Sequence, residues 1–237
     1  MWVSTLSAKD IQSLWRAART LGRGRRLAKG LAPMLFFTDP HRTPDAEATV
    51  SRLPRGSAVV FRAFGDAGAL SAGCRLALAA RRGGVGFVVG ADAALAVQLG
   101  ADGLHLPERL AARAGAISLL RRRFVVTAAA HSLPAAFRAA RAGADAIVLS
   151  PVFQSGSASA GRPMGPRTLA RVVRAVKKPV YALGGVNTAT VRRLAHTGVV
   201  GFAAIEALVV GAAADAAAAK GASRAASVPR EGIRPKT

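Results

Sequence analysis

The chain has 237 residues, a length that fits one domain better than two small ones. Aromatic residues make up only 5% of a sequence that is 51% apolar, so a buried core must consist mainly of Ala, Val and Leu. The 34 basic residues outnumber the 12 acidic ones and give a net charge of +22, but the arginines form no stripe with interleaved aromatics, which disfavours a nucleic-acid surface and favours a general compositional bias.

Residues 1–30 carry a helical period, with Ile11, Leu14 and Trp15 on one face and several arginines after them. The pattern predicts an N-terminal basic helical extension that precedes the main domain. A basic amphipathic helix that contacts a membrane or nucleic acid is the alternative interpretation.

A repeated unit follows, in which short apolar runs alternate with helical patterns. The runs begin near Met34, Ser57, Gly84, Gly103, Phe124, Ala146, Pro179 and Gly201. Eight such units predict parallel strands joined by crossover helices, and eight parallel strands close naturally into a barrel. We therefore expect an α/β fold, a single (β/α)8 TIM barrel over residues 31–220, with the extension closing its bottom. An open doubly wound sheet is the alternative, but Phe37-Thr-Asp-Pro-His is not the glycine-rich loop that such a sheet carries after its first strand.

Several of the predicted helices end on the same signal, a glycine followed by the next strand. The segments are Gln98-Leu-Gly-Ala-Asp, Arg141-Ala-Gly-Ala-Asp and His196-Thr-Gly-Val-Val. Glycine suits the left-handed position just after a helix, so Gly100, Gly143 and Gly198 are expected there.

The C-terminal region is apolar from Val199 to Ala219, but Glu206 and Asp215 interrupt it and alanine dominates, so it predicts no membrane span. Residues 221–237 mix Ser, Pro, Arg and Lys and predict a disordered basic tail. Cys74 is the sole cysteine, which excludes an intrachain disulfide and a CxxC metal pair. Together with the lack of a secretory apolar segment at the N-terminus, this predicts a cytoplasmic protein.

The end of the seventh predicted strand is the strongest candidate for a ligand site. Gly184 and Gly185 follow the run Val180-Tyr-Ala-Leu, and Asn187 and Thr188 lead into a predicted helix. Barrels of this type hold phosphate after strands 7 and 8, where glycines let the backbone approach an oxyanion and the helix N-terminus faces it. A tight turn without a ligand is the alternative.

The loop after the sixth predicted strand, residues 150–166, exceeds the usual length of such loops. Ser155 and Ser157 offer hydroxyl groups and Arg162 offers a charge, so a lid over a ligand is one interpretation. A flexible insertion is the other.

Three further side chains are expected at the barrel mouth. His131 follows the fifth strand and precedes Ser132, a plausible helix N-cap, so it faces the mouth and can move protons near neutral pH. Arg62, at the end of the second strand, suits a phosphate or carboxylate. For His105, in the fourth strand, a structural role is favoured.

Four segments carry a resemblance to a known family: Gly100-Ala-Asp-Gly-Leu-His-Leu, Ala130-His-Ser-Leu, Gly143-Ala-Asp-Ala-Ile-Val-Leu-Ser-Pro-Val-Phe and Ala182-Leu-Gly-Gly-Val. In order and spacing, from about Leu35 to Leu208, the chain resembles thiamine phosphate synthases and the related TenI-type thiazole tautomerases. The resemblance implies a reaction in thiamine biosynthesis that joins a pyrimidine methyl diphosphate to thiazole phosphate, with Mg²⁺ helping the diphosphate to leave.

The resemblance also assigns site residues. It places Gly184 and Gly185 at the phosphate turn, Ser155 and Ser157 at hydroxyl positions, and Arg62 at the arginine of the second strand. On the diphosphate side the sequence departs from the family. The family's glutamine, lysine, Asn-Asp pair, serine and lid lysine are replaced by Val60, Phe64, Gly90, Ala91, Ala129 and Ala158. The acidic metal ligand of the fourth strand falls within Pro107-Glu-Arg-Leu, so no metal site is predicted.

The eighth strand departs as well, because Glu206 stands where the family has a small residue beside the phosphate. A carboxylate there repels a phosphate unless it turns away or pairs with a cation. The predicted site therefore has His131 and Arg62 as catalytic residues and a phosphate-binding set of Gly184, Gly185, Ser155, Ser157, Ile205 and Glu206.

Three functions remain open at this point. The first is an enzyme acting on thiazole phosphate, either as a synthase or as a metal-independent tautomerase that uses His131. The second is a barrel that binds a phosphorylated ligand without turnover, and the third, resting on charge alone, is a nucleic-acid binder. We expect a small phosphorylated substrate, no nucleic acid, no membrane and no evident cofactor, with a homo-oligomer left open.

Overall fold

The computed structural model describes residues 6–23, 30–120, 124–156 and 161–209. Ser157 and Ala158 of the predicted lid, the basic tail 221–237 and residues 210–219 of the apolar segment lie outside the described residues. No helix in the described ranges is long and apolar enough to cross a membrane.

The described residues contain eight parallel strands that close into a barrel in sequence order, so the predicted (β/α)8 fold is confirmed. The strands are β1 Met34–Phe37, β2 Ala58–Phe61, β3 Gly86–Gly90, β4 Gly103–Leu106, β5 Val125–Ala130, β6 Ala146–Leu149, β7 Val180–Ala182 and β8 Gly201–Ala204. Each predicted strand start lies at or close to an observed one. The barrel closes where Met34 pairs with Phe202.

The helices between the strands are α1 Ala8–Leu21, α2 Ala46–Arg52, α3 Ala69–Gly83, α4 Ala93–Gln98, α5 Ala114–Leu120, α6 Leu133–Arg141 and α7 Gly165–Ala175, with short 3₁₀ helices at Glu108–Arg113, Val191–Leu194 and Glu206–Leu208. Side-chain caps fix several starts: Asp92 accepts from Leu95 N–H and Ser132 accepts from Ala135 N–H.

The glycines predicted after helices have the expected backbone conformation. Gly100, Gly143 and Gly198 have φ of +60°, +94° and +85°. This region is readily adopted by glycine, because it has no Cβ to clash, and it turns the chain directly from a helix into the next strand. The regular position of these glycines explains why the repeated strand–helix unit could be recognised in the sequence.

Alternation along the strands produces two apolar layers. The interior layer contains Leu35, Phe37, Ala58, Val60, Val88, Ala146, Val148, Tyr181 and Ala203. The outer layer, between the strands and the helices, contains Phe36, Val59, Val89, Leu104, Ile147 and Phe202, among others. Because successive strand residues point to opposite faces, Arg62, His105 and His131 continue the inward series of β2, β4 and β5 at the barrel mouth.

The helix within the predicted N-terminal extension is α1. Ser7 and Asp10 form a capping box at its start, and Ile11, Leu14 and Ala18 are buried. The helix packs against β1, β8 and the 3₁₀ helix Val191–Leu194. It therefore covers the outside of the seam where the first and last strands meet.

Candidate active site

A cavity of about 1180 Å³ opens at the carboxyl ends of the strands. Its lining includes Arg62, His131, Ser155, Gly184, Gly185, Ile205 and Glu206, so the predicted site residues that the structure describes share one cavity. The sequence missed other lining residues, among them Phe37, Arg42 and Asp66. Arg42 belongs to the loop after β1, and a position at the carboxyl end of a barrel strand is the one signal that pointed to it.

Gly184 and Gly185 have φ of +94° and +63°. A Cβ on Gly184 would lie 2.9 Å from Pro151 Cα, and one on Gly185 would collide with the carbonyl oxygen of Gln154. Glycine is therefore required by the close approach of the loop after β6 as well as by the backbone conformation. Among the residues that the structure describes, no acceptor takes the N–H of Gly184, Gly185 or Val186, so these amides are free for an anion.

The predicted helix after β7 is wrong in its extent, because only the four-residue 3₁₀ helix Val191–Leu194 forms there. Asn187 Oδ1 accepts from the N–H groups of Ala189 and Thr190 at 3.0 and 3.1 Å. Thr190 Oγ1 accepts from Asn187 N–H at 2.9 Å and donates to Gly185 O at 2.7 Å. The side chains thus satisfy the amides that a longer helix would have turned toward a ligand, and the remaining donors come from the glycine turn.

Glu206 pairs with a cation, which is one of the two arrangements that a carboxylate beside a phosphate requires. Its Oε1 accepts from Nε of Arg42 at 2.6 Å. Ile205 lies between this residue and β8 and lines the cavity with it.

Arg62 is held by the loop after β1. Its Nε donates to Thr38 O at 2.7 Å, and its Nη2 lies 3.2 Å from Asp39 Oδ2. The guanidinium also lies over the rings of Phe37 and Phe64, 5.6 and 5.0 Å from their centroids. Burial lowers the pKa of Arg62, an effect that Asp39 opposes and that the charge of Arg42 increases.

His105 is buried at the floor of the cavity. Its Nδ1 lies 2.9 Å from Thr127 Oγ1, and its ring packs edge-on against Phe37 at 4.8 Å. Burial, with a smaller contribution from Arg62, lowers the pKa of His105 to about 3. The imidazole is therefore neutral at physiological pH, which agrees with the structural role favoured for it.

His131 forms a charge-assisted cluster with Glu108 and Arg138. Its Nδ1 and its backbone N lie 2.8 and 2.9 Å from Glu108 Oε2, and Arg138 Nη2 lies 3.3 Å from Oε1. Burial raises the pKa of Glu108, but the hydrogen bonds and charges of His131 and Arg138 together lower it further, and the net shift is downward. When Nδ1–H donates to the carboxylate, Nε2 keeps a lone pair to accept a proton.

The carboxylates that line the cavity, and Asp39 beside it, are engaged in contacts within the protein. Glu108 and Glu206 form the ion pairs just described, Asp39 pairs with Arg62, Asp92 caps α4, and Asp66 accepts from Gly68 N–H. Within the described ranges, no group of three His, Cys, Asp or Glu side chains is placed to hold a metal ion. Mg²⁺ is commonly held by one or two carboxylates together with substrate phosphates and water, and each carboxylate in the described lining would have to share or give up its present contact to serve as such a ligand.

Comparisons with known proteins agree on one family. A family model described as thiamine monophosphate synthase matches residues 34–208. A thiamine-phosphate synthase of Anaeromyxobacter dehalogenans is 34% identical over 205 residues, which cover 86% of this chain and 90% of the relative. A putative thiamine-phosphate synthase 2 of Aquifex aeolicus is 40% identical over 114 residues, and there the match spans 60% of the relative's length.

Among solved structures, a thiamine phosphate pyrophosphorylase from Pyrococcus furiosus superimposes with a TM-score of 0.65 at 25% identity. The match covers 81% of this chain and 94% of that one. An aldolase, QR15, has a TM-score of 0.55 at 15% identity and shows the fold alone.

Proposed function

The chain belongs to the thiamine monophosphate synthase family, and we propose from this that it is an enzyme of thiamine biosynthesis acting on thiazole phosphate. The reaction proposed is the family condensation with a pyrimidine methyl diphosphate to give thiamine phosphate. The observation that carries the proposal is the β7–β8 end of the cavity, where the unpaired amides of Gly184 and Gly185 lie in a cavity that also contains Arg42 and Arg62.

In this proposal the two ends of the cavity hold different anions. The amides of Gly184 and Gly185 bind the phosphate of the thiazole, since backbone N–H groups at a glycine turn form an anion-binding concavity. Arg62 faces the diphosphate of the second substrate and balances its charge as it leaves. The hydrogen bonds from Arg62 to Thr38 and Asp39 hold the guanidinium in place before substrate arrives, which lowers the cost of ordering it.

No step is assigned to Mg²⁺, because the carboxylates that line the cavity are already bound to Arg, His or backbone groups. If the condensation proceeds, charge on the leaving diphosphate must be met by arginine and backbone donors instead. This expectation distinguishes the protein from relatives that keep the metal ligands.

The His131–Glu108 contact favours a second candidate, a metal-independent thiazole tautomerase. In it Nε2 of His131 accepts a proton from one atom of the thiazole and returns it to another, while Glu108 orients the ring through its contact with Nδ1. The exposure of the His131 side chain, 56%, gives it access to a ligand in the cavity.

The proposal is tested by incubating the purified protein with thiazole phosphate and the pyrimidine methyl diphosphate, with and without Mg²⁺, and measuring thiamine phosphate by chromatography. We expect product, and we expect Arg62→Ala to lower kcat/KM by about 100-fold, as for loss of a charge-assisted contact. A wild type that forms no product under either condition contradicts the synthase.

In that case tautomer interconversion is measured by NMR in the wild type, His131→Ala and His196→Ala. His196 lies outside the cavity lining and serves as the matched control. Loss of activity in His131→Ala alone supports the tautomerase, and activity unchanged by that substitution removes it.

We further infer a cytoplasmic protein whose partner is a small phosphorylated substrate rather than nucleic acid or a membrane. The solitary Cys74 fits a reducing compartment. Light scattering after size-exclusion chromatography measures the oligomeric state. Comparison of samples purified with and without nuclease treatment shows whether nucleic acid binds in the absence of substrate.

A further inference from the structure

Two arginines line the cavity, and each forms an ion pair in which the loop between β1 and α2 supplies one partner. Asp39, on this loop, pairs with Arg62, the residue after β2, and Arg42, also on the loop, pairs with Glu206 in the segment that follows β8. The loop thereby connects the strand 2 and strand 8 sides of the mouth through ion pairs.

Arg42 is the better buried partner of its pair. Its side chain is 19% exposed, against 43% for Glu206. Its Nε is used by Glu206, but no described residue accepts a hydrogen bond from its Nη1 or Nη2. Arg42, Gly184 and Gly185 line the same cavity, and there the N–H groups of the two glycines also have no described acceptor.

The two cavity arginines interact electrostatically, and each needs a compensating negative charge. The positive charge of Arg42 reaches Arg62 and lowers its pKa, so the two guanidiniums repel each other. Burying arginines together is unfavourable unless each charge is compensated. One carboxylate for each arginine achieves this without ligand, and a phosphate would add a second acceptor for the donors of Arg42.

The ion pair with Arg42 explains how the carboxylate of Glu206 can lie beside a phosphate site. A single hydrogen bond to Nε fixes the plane of the guanidinium and leaves the edge formed by Nη1 and Nη2 available, which is a geometry suited to bidentate phosphate contacts. We propose that Arg42 is an additional phosphate-binding residue at the β7–β8 end of the cavity, and that Glu206 is the positioning residue that orients it. The inference rests on the proposed function for the source of the phosphate, a phosphate monoester on the thiazole.

The test uses inorganic phosphate as the probe and isothermal titration calorimetry as the readout, at constant ionic strength. We expect Arg42→Gln to weaken phosphate binding by about 10-fold or more, as for loss of a hydrogen bond to a charged group. Arg75→Gln is the control, because Arg75 also pairs through Nε with a glutamate, Glu47 Oε1 at 2.7 Å, but lies outside the cavity. It should bind phosphate as the wild type does.

The role of Glu206 is separated by two substitutions. Glu206→Gln keeps an oxygen that accepts from Arg42 and removes the negative charge, so it should bind phosphate at least as tightly as the wild type. Glu206→Ala removes the orienting oxygen and should bind several-fold more weakly than Glu206→Gln. In an Arg42→Gln background this difference should disappear, because the group that Glu206 positions is absent.

The inference is overturned if the wild type binds no phosphate at millimolar concentration, if Arg42→Gln binds as tightly as Arg75→Gln, or if Glu206→Ala equals Glu206→Gln. Thermal unfolding of each variant identifies any that fail to fold, and Arg42→Lys then replaces Arg42→Gln, with the same expected direction. Phosphate binding that depends on Arg42 in a protein that forms no thiamine phosphate leaves this inference intact and removes the proposed function. If thiamine phosphate forms and Arg42→Gln leaves the KM for thiazole phosphate unchanged, the proposed function stands and this inference is removed.

Discussion

The two sides of the barrel mouth differ in whether their polar groups have partners within the protein. On the β7–β8 side, the amides of Gly184 and Gly185 and the Nη groups of Arg42 have no described partner. On the β3–β5 side, Glu108 and His131 are bound to each other, and Ala91 and Ala129 line the cavity with methyl groups. The β7–β8 side therefore keeps N–H donors without a described acceptor, whereas Glu108 and His131 on the other side are bound to each other.

The difference shows that a barrel can alter one side of its site while keeping the other, because each side is built from separate loops on a common frame. Phe64 illustrates this point: it is 66% exposed, has φ of +51° and lies over Arg62, at a position where the resemblance implies a lysine. The strand below it, β2, keeps its register with β1 and β3. The substitution therefore changes the rim without changing the frame.

The largest predicted effect comes from a substitution that disrupts the glycine turn on the β7–β8 side. Gly185→Ala should lower the free energy of unfolding by about 3 kcal/mol or more, since a Cβ there adds a collision with Gln154 O to the cost of a left-handed backbone. Phosphate binding should be lost with it. Urea unfolding measures the stability.

Gly165→Ala is the matched control, because Gly165 has a similar φ of +72° but nothing within 4 Å of the added Cβ. It should lose only about 1–2 kcal/mol. If the two variants lose the same free energy of unfolding, the contact between position 185 and the loop after β6 adds nothing to the cost of the Cβ.

The second prediction concerns His105, at the floor between the two sides. Its pKa is about 3 when folded and near 6.5 when unfolded, so the unfolded chain binds the proton more readily. Its contribution to stability is intact above pH 6.5 and declines as the pH falls toward 3, by up to about 1.4 kcal/mol per pH unit. Between pH 6.5 and 5, the wild type should lose about 1.6 kcal/mol relative to His105→Asn.

Urea unfolding at several pH values tests this difference, and His105→Gln should give the same slope because it also lacks a titrating ring. Parallel stability curves for the wild type and both variants would mean that the imidazole accepts a proton in the folded protein.

The smallest predicted effect is a change in the pKa of Glu108 on the β3–β5 side. His131→Ala should raise the pKa of Glu108, because it removes a hydrogen bond and a charge that lower it. Arg138→Ala should raise it less, since its charge is the smallest of the lowering effects. Carbon-13 NMR titration of the side-chain carboxyl follows both variants, and the opposite order would place Arg138, not His131, as the main partner.

Most of the fold could be predicted from the sequence because local signals and global topology agree. The apolar run at Gly103–Leu106 and the glycine at position 100 each have a direct structural consequence, a buried strand and a left-handed helix end. The helix expected after β7 failed for a local reason. Asn187 and Thr190 bond to their own backbone and hold a turn, which competes with helix formation.

The candidate site was less accessible to sequence reasoning. Arg62 and His131 follow from inward alternation, so their positions could be predicted. The pairing of Arg42 with Glu206 could not, since it joins residues from opposite ends of the chain and depends on side-chain conformations at the closed seam. The sequence showed the carboxylate of Glu206, and the structure shows the cation that faces it.

The position of α1 has a consequence for how the barrel assembles. The β1–β8 seam joins the strands that are furthest apart along the chain, so it carries the largest loop-closure entropy of any strand pair in the barrel. Because α1 buries Ile11, Leu14 and Ala18 and contacts both strands, it supplies apolar contacts at the place where closure costs most. The helix thus holds together the two strands whose meeting completes the barrel.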